Sequence, residues 1–154
     1  MAARSVEDQT VNYELYMRAA LAEASAAADA GERANGAVAV LDEAMIAHGR
    51  DMVTVSGDPT AHAVMVLVRE ASRRLGRRSL PGLTVFCVVE PCVMCIGALL
   101  QSKADGVVYA MADPMEGACS SAVNLADNHG LPGRLRVVSG ILQDEAALLR
   151  PDLA

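Results

Sequence analysis

The spacing of apolar residues divides the chain into alternating helical and extended segments. An Ala-rich stretch predicts a first helix that ends at Ala30, before Gly31, with Ser5 as its N-cap and acidic residues in its first turn. Residues 36–49, GAVAVLDEAMIAHG, predict two strands joined by a turn at Asp42-Glu43. A helical pattern followed by a hairpin pattern is therefore the first unit of the fold.

The rest of the chain continues the alternation of helices and strands. Residues 50–58 are expected to be a loop, and Asp58-Pro59 is typical of a helix start, with Asp as the cap and Pro in the first helical position. The run LTVFCVV is apolar throughout, as expected of a strand that is buried on both faces. The predicted elements are a helix to about Leu75, a strand at 83–89, a helix at 91–102, strands at 106–111 and 135–140, and a helix at 141–150. This order implies an α/β layered fold with one mixed sheet.

Composition limits the class of protein. With 154 residues, of which 53% are hydrophobic, the chain is expected to form one domain over residues 1–154. The formal charge of −6 gives no general attraction to nucleic acid or anionic lipid. No apolar window is long enough to span a membrane, and the first residues do not resemble a signal peptide, so a cytoplasmic protein is predicted.

The cysteine spacing is the main chemical signal. In a reducing cytosol, closely spaced cysteines usually indicate metal binding or redox chemistry. Cys92 and Cys95 are three residues apart at a predicted helix start, where their sulfurs share one face and thiolates are favoured. His62, in the first or second turn of the preceding helix, can reach the same edge of the sheet. Three such ligands leave the fourth tetrahedral position to water, which indicates a catalytic Zn²⁺ site.

Other interpretations of these residues stay open at this point. The CxxC pair could act as a thiol redox pair, and a lone histidine on an apolar helix is often a core residue. A structural site with Cys87 as a fourth ligand is a further alternative, although Cys87 lies inside a predicted strand. Cys87 and Cys119 are otherwise expected to be small buried hydrophobic residues.

The motifs carry a resemblance to a known family. The signature H-x-E followed by P-C-x-x-C is typical of zinc nucleobase deaminases. DPTAHA at 58–63, EPCVMC at 90–95 and SGILQDEAALL at 139–149 resemble the cytidine deaminase superfamily, on the branch of bacterial tRNA adenosine deaminase and guanine deaminase. The resemblance covers about residues 7–150. It implies a three-layer α/β/α sandwich around a mixed five-stranded sheet, a homodimer, and zinc-dependent hydrolysis that releases ammonia.

Carried over by position, His62, Cys92 and Cys95 resemble the zinc ligands, but the catalytic position departs from the family pattern. Val64 stands where the family has a glutamate that moves protons, and a valine can neither accept nor donate one. The chain is therefore expected to be nearly inactive. It is either a disabled deaminase or a natural pseudoenzyme that binds without turnover, unless Val64 only packs an apolar helix. Glu70 and Glu90 are poor substitutes because one is two turns further on and the other precedes the ligand helix.

Three positions near the motifs bear on the substrate. Asp51 lies eleven residues before His62, where the family commonly has an asparagine that contacts the base, and an ionised aspartate only accepts hydrogen bonds. Asn35 is polar where the family is often apolar, and the resemblance also places Ala63 among the substrate contacts. These residues favour an amino-substituted base of guanine, cytosine or triazine type. Alternatively, Asp51 only caps a turn.

RNA is the less favoured partner on sequence grounds. Arg69, Arg73, Arg74, Arg77 and Arg78 form a basic stretch, but such a stretch is more often a solvated helix face. The C-terminal segment QDEAALLRPDLA is acidic, and aromatic residues that would stack on bases are scarce. A small heterocyclic substrate is therefore predicted, with tRNA adenosine as the alternative.

Overall fold

A sheet of five strands forms the centre of the computed structural model, which describes the backbone of residues 6–154 and the side chains of residues 12–154. The cap predicted at Ser5 lies outside the described residues. The helices are α1 (Val6–Asp29), α2 (Val53–Ser56), α3 (Ala63–Leu75), α4 (Val93–Gln101) and α5 (Gln143–Leu149). The strands are β1 (Gly36–Leu41), β2 (Ala44–Arg50), β3 (Thr84–Val89), β4 (Gly106–Met111) and β5 (Arg136–Ser139). Within the described backbone, no helix has both the length and the apolar character that a membrane crossing requires.

The sheet is mixed, with the strand order β2-β1-β3-β4-β5. Strand β1 runs antiparallel to both of its neighbours, whereas β3, β4 and β5 are parallel. Because β2 and β3 both run antiparallel to β1, they run in the same direction, and their carboxyl ends lie at one edge of the sheet. Helix α3 comes after β2 and helix α4 comes after β3, so both helices begin at this edge and can place side chains side by side.

Helices cover both faces of the sheet. Helices α3 and α4 pack on one face through Leu67, Ile96 and Leu99, and α1 and α5 pack on the other through Met17 and Ala146. Strands β3 and β4 are therefore buried on both sides, which explains their continuous apolar runs. The three-layer sandwich predicted from the resemblance is confirmed.

The strand predictions agree closely with the structure. Strand β4 has the predicted bounds, and β3 begins one residue later than predicted. The turn at Asp42-Glu43 is also confirmed, with φ of 49° and 68° at its two residues. Positive φ at both central positions is the backbone of the tight turn that matches the twist of a hairpin.

The predicted helix starts before the two motifs are wrong. Helix α3 begins at Ala63 rather than at Asp58-Pro59, because Asp58 Oδ1 accepts hydrogen bonds from the Thr60 N–H at 2.8 Å and from the Thr60 hydroxyl at 2.7 Å. These bonds hold a local turn in place of a helix. Helix α4 likewise begins at Val93 rather than at Pro91, and the predicted loop at 50–58 contains the short helix α2.

Candidate metal centre

Two helix starts meet at one edge of the sheet and bring three donor side chains together. His62 is the N-cap of α3, with φ −68° and ψ 153°, and Cys92 is the N-cap of α4, with φ −76° and ψ 178°. Cys95 lies in the first turn of α4. His62 thus precedes its helix on extended backbone, which corrects the prediction that it lies in the first or second helical turn.

Close packing between α3 and β2 sets the position of the histidine. A Cβ atom on Gly49 would lie 2.5 Å from the carbonyl oxygen of Ala63 and 2.8 Å from the nitrogen of Leu67. Only glycine therefore allows the first turn of α3 to lie this close to the strand. The strand surface supports the backbone directly after His62.

The spacing of the three donors fits zinc. The Sγ atoms of Cys92 and Cys95 lie 3.5 Å and 3.8 Å from Nδ1 of His62. In a tetrahedral site, Zn–N and Zn–S bonds of ordinary length put N and S about 3.6 Å apart. Among residues 12–154, these side chains form the one group of three whose ligand atoms lie within 4.8 Å of one another. Three ligands leave one tetrahedral position open, as in catalytic zinc sites.

The thiols of Cys92 and Cys95 differ in pKa. The Cys95 thiol donates to the sulfur of Cys92, which lowers the pKa of Cys92 to about 5, and the nearby His62 adds to this effect. The same hydrogen bond and burial raise the pKa of Cys95. At neutral pH one thiolate is therefore present, and a thiolate is the form that binds metal.

The other two cysteines do not join this group. Cys87 is fully buried in β3, and its nearest hydrogen-bond acceptor is the carbonyl oxygen of Val108, at 3.9 Å. Burial raises the pKa of Cys87, and it raises the pKa of Cys119 to about 12. Both are therefore protonated at neutral pH and behave as small hydrophobic residues, as the sequence predicts. This geometry does not support the alternative of a structural site with Cys87 as a fourth ligand.

A cavity opens beside the three donors, and Val64 forms part of its wall. Val64 is 1% exposed and packs in the same core cluster as Leu67, which lies one turn further along α3. The side chain at the position of the family's glutamate is thus apolar. The cavity is lined by Arg33, Asn35, His62, Val64, Val89, Glu90, Pro91, Cys92, Cys95, Asp113, Glu116 and Arg150.

Glu90 is a carboxylate in this wall, but its oxygens are occupied. It accepts backbone N–H groups from Asp113, Cys119, Ser120 and Ser121 at 2.9–3.2 Å, and also the hydroxyl of Ser121. Burial alone would raise the pKa of Glu90, but these hydrogen bonds outweigh it and lower the pKa. Glu90 therefore holds the loop after β4 and is not free to carry protons. Glu70 binds Arg73 and Arg74 on the surface of α3, so neither glutamate replaces the missing one.

Replacing Glu90 with glutamine is expected to destabilise the fold by about 2–4 kcal/mol, because the amide NH2 group leaves the buried Asp113 N–H without an acceptor and the remaining hydrogen bonds lose their charged acceptor. Denaturant unfolding at pH 7 measures the effect. The matched control is Glu70→Gln, which breaks exposed ion pairs and is expected to cost less than about 1 kcal/mol. Equal losses in the two variants would contradict the role given to Glu90.

The same variant carries a pH signature. A carboxyl group whose pKa is lower in the folded state stabilises the fold above its unfolded pKa, here near the ordinary value of 4.5, and this stabilisation is lost as the pH falls through the folded pKa. The stability difference between the unmodified chain and Glu90→Gln should therefore be constant at neutral pH and shrink below about pH 4.5.

The three predicted substrate contacts occupy different environments. Asn35 lines the cavity, and its Oδ1 accepts the N–H groups of Gly36 and Val89 at 3.0 and 3.2 Å. Asp51 and Ala63 are buried behind the wall, and Asp51 Oδ1 accepts the Ala63 N–H at 2.8 Å. Asp51 is only 1% exposed, so it does not cap a solvent-facing turn. Direct contact of these residues with a substrate stays a prediction.

The sequence interpretation missed the charged residues that complete the cavity wall. Arg33 lies two residues before Asn35, so its nearness in sequence to a predicted substrate contact is the signal that was available. Arg150 follows α5 and pairs with Asp152 at 2.8 Å, while Arg33 pairs with Asp51 at 3.2 Å. Nothing in the local sequence connects these arginines with the cysteine motif, because the fold alone brings them together.

Comparison with known proteins agrees with this geometry. Residues 10–111 match the cytidine and deoxycytidylate deaminase zinc-binding region. The chain is 36% identical over 132 residues to a tRNA-specific adenosine deaminase of Bacillus subtilis, covering 86% of this chain and 82% of that protein. It is also 39% identical over 101 residues to a guanine deaminase of the same species, with 65% of each protein covered.

Solved structures give the same relationships. A structure from work on A-to-I editing by tRNA:A34 deaminases at the wobble position of transfer RNA is similar with a TM-score of 0.84 and 34% identity, covering 87% of this chain and 97% of that chain. The X-ray structure of guanine deaminase from Bacillus subtilis is similar with a TM-score of 0.59 and 39% identity, covering 64% of each chain.

Proposed function

Because the chain belongs to the cytidine and deoxycytidylate deaminase zinc-binding family, whose members are C–N hydrolases, we propose that it is a zinc protein of the tRNA adenosine deaminase type in which Val64 suppresses turnover. The observation that carries this proposal is the pairing of a complete donor triad with an apolar side chain at the position of the proton carrier. The site can hold metal and a ring, but it lacks the group that moves protons between them.

The zinc donors, Val64 and Asn35 have separate roles in the cavity. His62, Cys92 and Cys95 would hold zinc, which when bound supplies a water molecule acidified to a pKa of about 7. Val64 presents only methyl groups and excludes water from its part of the wall. In the part of the chain described with side chains, Asn35 uses only its oxygen, so its amide N–H groups stay available to a ring nitrogen or carbonyl group.

The surroundings of the cavity support an RNA substrate. Val93, Met115 and Val123 line an adjoining groove beside Cys92 and are 55%, 83% and 45% exposed. A cavity that encloses a small base has no need of apolar side chains outside it, whereas the unstacked bases of an RNA loop need a surface on which to pack. Together with the tRNA deaminases among the relatives, this favours adenosine in a tRNA loop over the free base predicted from the sequence.

A free base of guanine, cytosine or triazine type stays the second candidate. The observation that favours it is charge pairing at the cavity, where Arg33 is bound to Asp51 and Glu116, and Arg150 to Asp152. Paired arginines attract phosphate weakly, and the net charge of −6 repels it. Arg73 and Arg74 of the basic stretch are likewise bound to Glu70.

Binding experiments distinguish the two candidates without turnover. The zinc-loaded chain is expected to bind a labelled tRNA anticodon stem–loop with adenosine in the loop at least about 10-fold more tightly than the matching duplex, with affinity falling as salt rises. Fluorescence anisotropy measures both affinities. Binding of guanine, cytosine or a triazine by calorimetry, with no preference for the loop, would contradict the RNA proposal and support the second candidate.

A surface substitution sharpens this comparison. Met115→Asp places a negative charge in the apolar groove outside the cavity, so it should weaken RNA binding and leave binding of a free base unchanged. Leu15→Asp, on α1 in the opposite layer and 56% exposed, is the matched control and should change neither.

A homodimer stays a prediction, which analytical ultracentrifugation would test, and so does the cytoplasmic location.

A further inference from the structure

A buried carboxylate connects three segments around the cavity. Asp51, just after β2, is 1% exposed, and both of its oxygens are bound. Oδ1 accepts the Ala63 N–H at 2.8 Å and Oδ2 accepts Nε–H of Arg33 at 3.2 Å. Arg33 also reaches Glu116, in the loop after β4, at 3.4 Å. The network therefore joins three segments: the one before β1, which carries Arg33, the one from Asp51 to Ala63, which connects β2 to α3, and the loop after β4, which carries Glu116.

The first of these bonds acts directly beside a metal ligand. Ala63 is the first residue of α3 and follows His62, whose side chain makes no capping hydrogen bond because it faces the two cysteines. The first N–H groups of a helix need acceptors from outside the helix, and a carboxylate there also interacts favourably with the helix dipole. Asp51 supplies this acceptor from another segment. A second bond, from the Met52 N–H to the carbonyl oxygen of Ala61 at 2.9 Å, fixes the same two segments to each other.

Arg33 makes this arrangement stable. A buried carboxylate without a cationic partner is costly, whereas a paired one with its remaining oxygen bonded is tolerated. The Arg33 side chain is 49% exposed, so it brings its charge to Asp51 without being buried itself. The pair thus allows a charged acceptor to stand behind the metal site.

We propose that Asp51, held by Arg33, is a positioning residue for the zinc ligand His62. By anchoring the first N–H of α3, it sets the backbone from which the imidazole reaches the cysteine sulfurs. If Asp51 instead only contacted the substrate, its replacement would leave zinc affinity unchanged. It rests on the zinc site alone and holds for either substrate proposed above.

Zinc affinity of the full chain, measured by competition with a chromogenic chelator, tests the proposal. Asp51→Ala is expected to weaken zinc binding by about 10- to 100-fold, as for other residues that orient metal ligands. Asp51→Asn keeps an oxygen that can accept the Ala63 N–H and loses only the ion pair with Arg33, so its loss of zinc affinity should be at least about threefold smaller than that of the Ala variant. The matched control is Asp105→Ala, since Asp105 also accepts a backbone N–H, from Gly82 at 3.0 Å, but at the opposite end of β3; it should not change zinc affinity.

The spectrum of the Co²⁺-substituted protein separates positioning from general stability. Asp51→Ala should alter the d–d and thiolate charge-transfer bands, and Asp105→Ala should not. Unchanged zinc affinity and an unchanged spectrum in Asp51→Ala would overturn the proposal, and so would equal losses in the Ala and Asn variants. If Asp51→Ala does not fold, Arg33→Met provides the test. It should lose about 3- to 10-fold in zinc affinity, because the buried carboxylate of Asp51 loses the partner that orients it. No loss there would overturn it.

Discussion

Replacing Val64 with glutamate is expected to raise the rate of ammonia release by about 10²–10⁴-fold or more. One general acid–base group contributes about this much, and a group at this position serves several proton transfers. Val64 lies two residues after His62 and lines the cavity, so a carboxylate there would reach the space beside the zinc donors. The measurement is ammonia release by zinc-loaded protein from a tRNA anticodon stem–loop and from a panel of amino-substituted heterocycles.

Val64→Gln is the matched control for this prediction. Glutamine has the size and polarity of glutamate but cannot take up and return a proton, so the variant should stay as inactive as the unmodified chain. The substrate that the Val64→Glu protein prefers also decides between the RNA and free-base candidates. A Val64→Glu protein that binds zinc and substrate but shows no turnover would indicate that other parts of the site have diverged, as expected of a natural pseudoenzyme.

The zinc ligands could be predicted from the sequence because their chemistry leaves a local pattern. The Pro-Cys-x-x-Cys spacing fixes two sulfurs at one helix start, and the earlier histidine stands before another helix. They meet because β2 and β3 run in the same direction, so that α3 and α4 begin at the same edge of the sheet and pack on one face, as the order of helices and strands already implies. Here local pattern and fold agree.

The helix starts could not be predicted because two local structures compete for the same residues. Asp58-Pro59 suits both a helix cap and an aspartate turn, and the hydroxyl and N–H of Thr60 stabilise the turn. The difference matters for function, since it moves His62 from the first or second helical turn to the extended N-cap position. A displacement of a few residues changes the direction of a ligand side chain.

Ion pairs between residues that are distant in the sequence also cannot be predicted from local patterns. From the sequence, Asp51 is a free acceptor that could contact a substrate, whereas in the structure Arg33, eighteen residues earlier, occupies one of its oxygens. The acidic composition likewise favours a small substrate over RNA. An exposed apolar group such as that of Val93 and Met115 becomes visible only when the elements that carry it are folded together.

Replacing Cys92 with serine is expected to abolish stoichiometric zinc binding. Structural zinc sites with four ligands bind with roughly 10–16 kcal/mol, so one lost thiolate costs on the order of 3 kcal/mol, or about 100-fold in affinity. Cys92 should contribute about this much, because its sulfur is one of the three donors of the site. Elemental analysis after dialysis against a weak chelator measures zinc per chain. Full occupancy in Cys92→Ser would contradict the ligand assignment.

Cys87→Ala is the matched control and also tests the four-ligand alternative. Cys87 lies in β3, outside the triad, so its removal should leave one zinc per chain, whereas a four-ligand site would lose affinity to the same extent as in Cys92→Ser. Stability gives a second measurement, since a metal that binds only the folded state raises the unfolding temperature with its concentration. Zinc should therefore raise the unfolding temperature of the unmodified chain and of Cys87→Ala by similar amounts. It should have little effect on Cys92→Ser, in which only His62 and Cys95 remain to hold the metal.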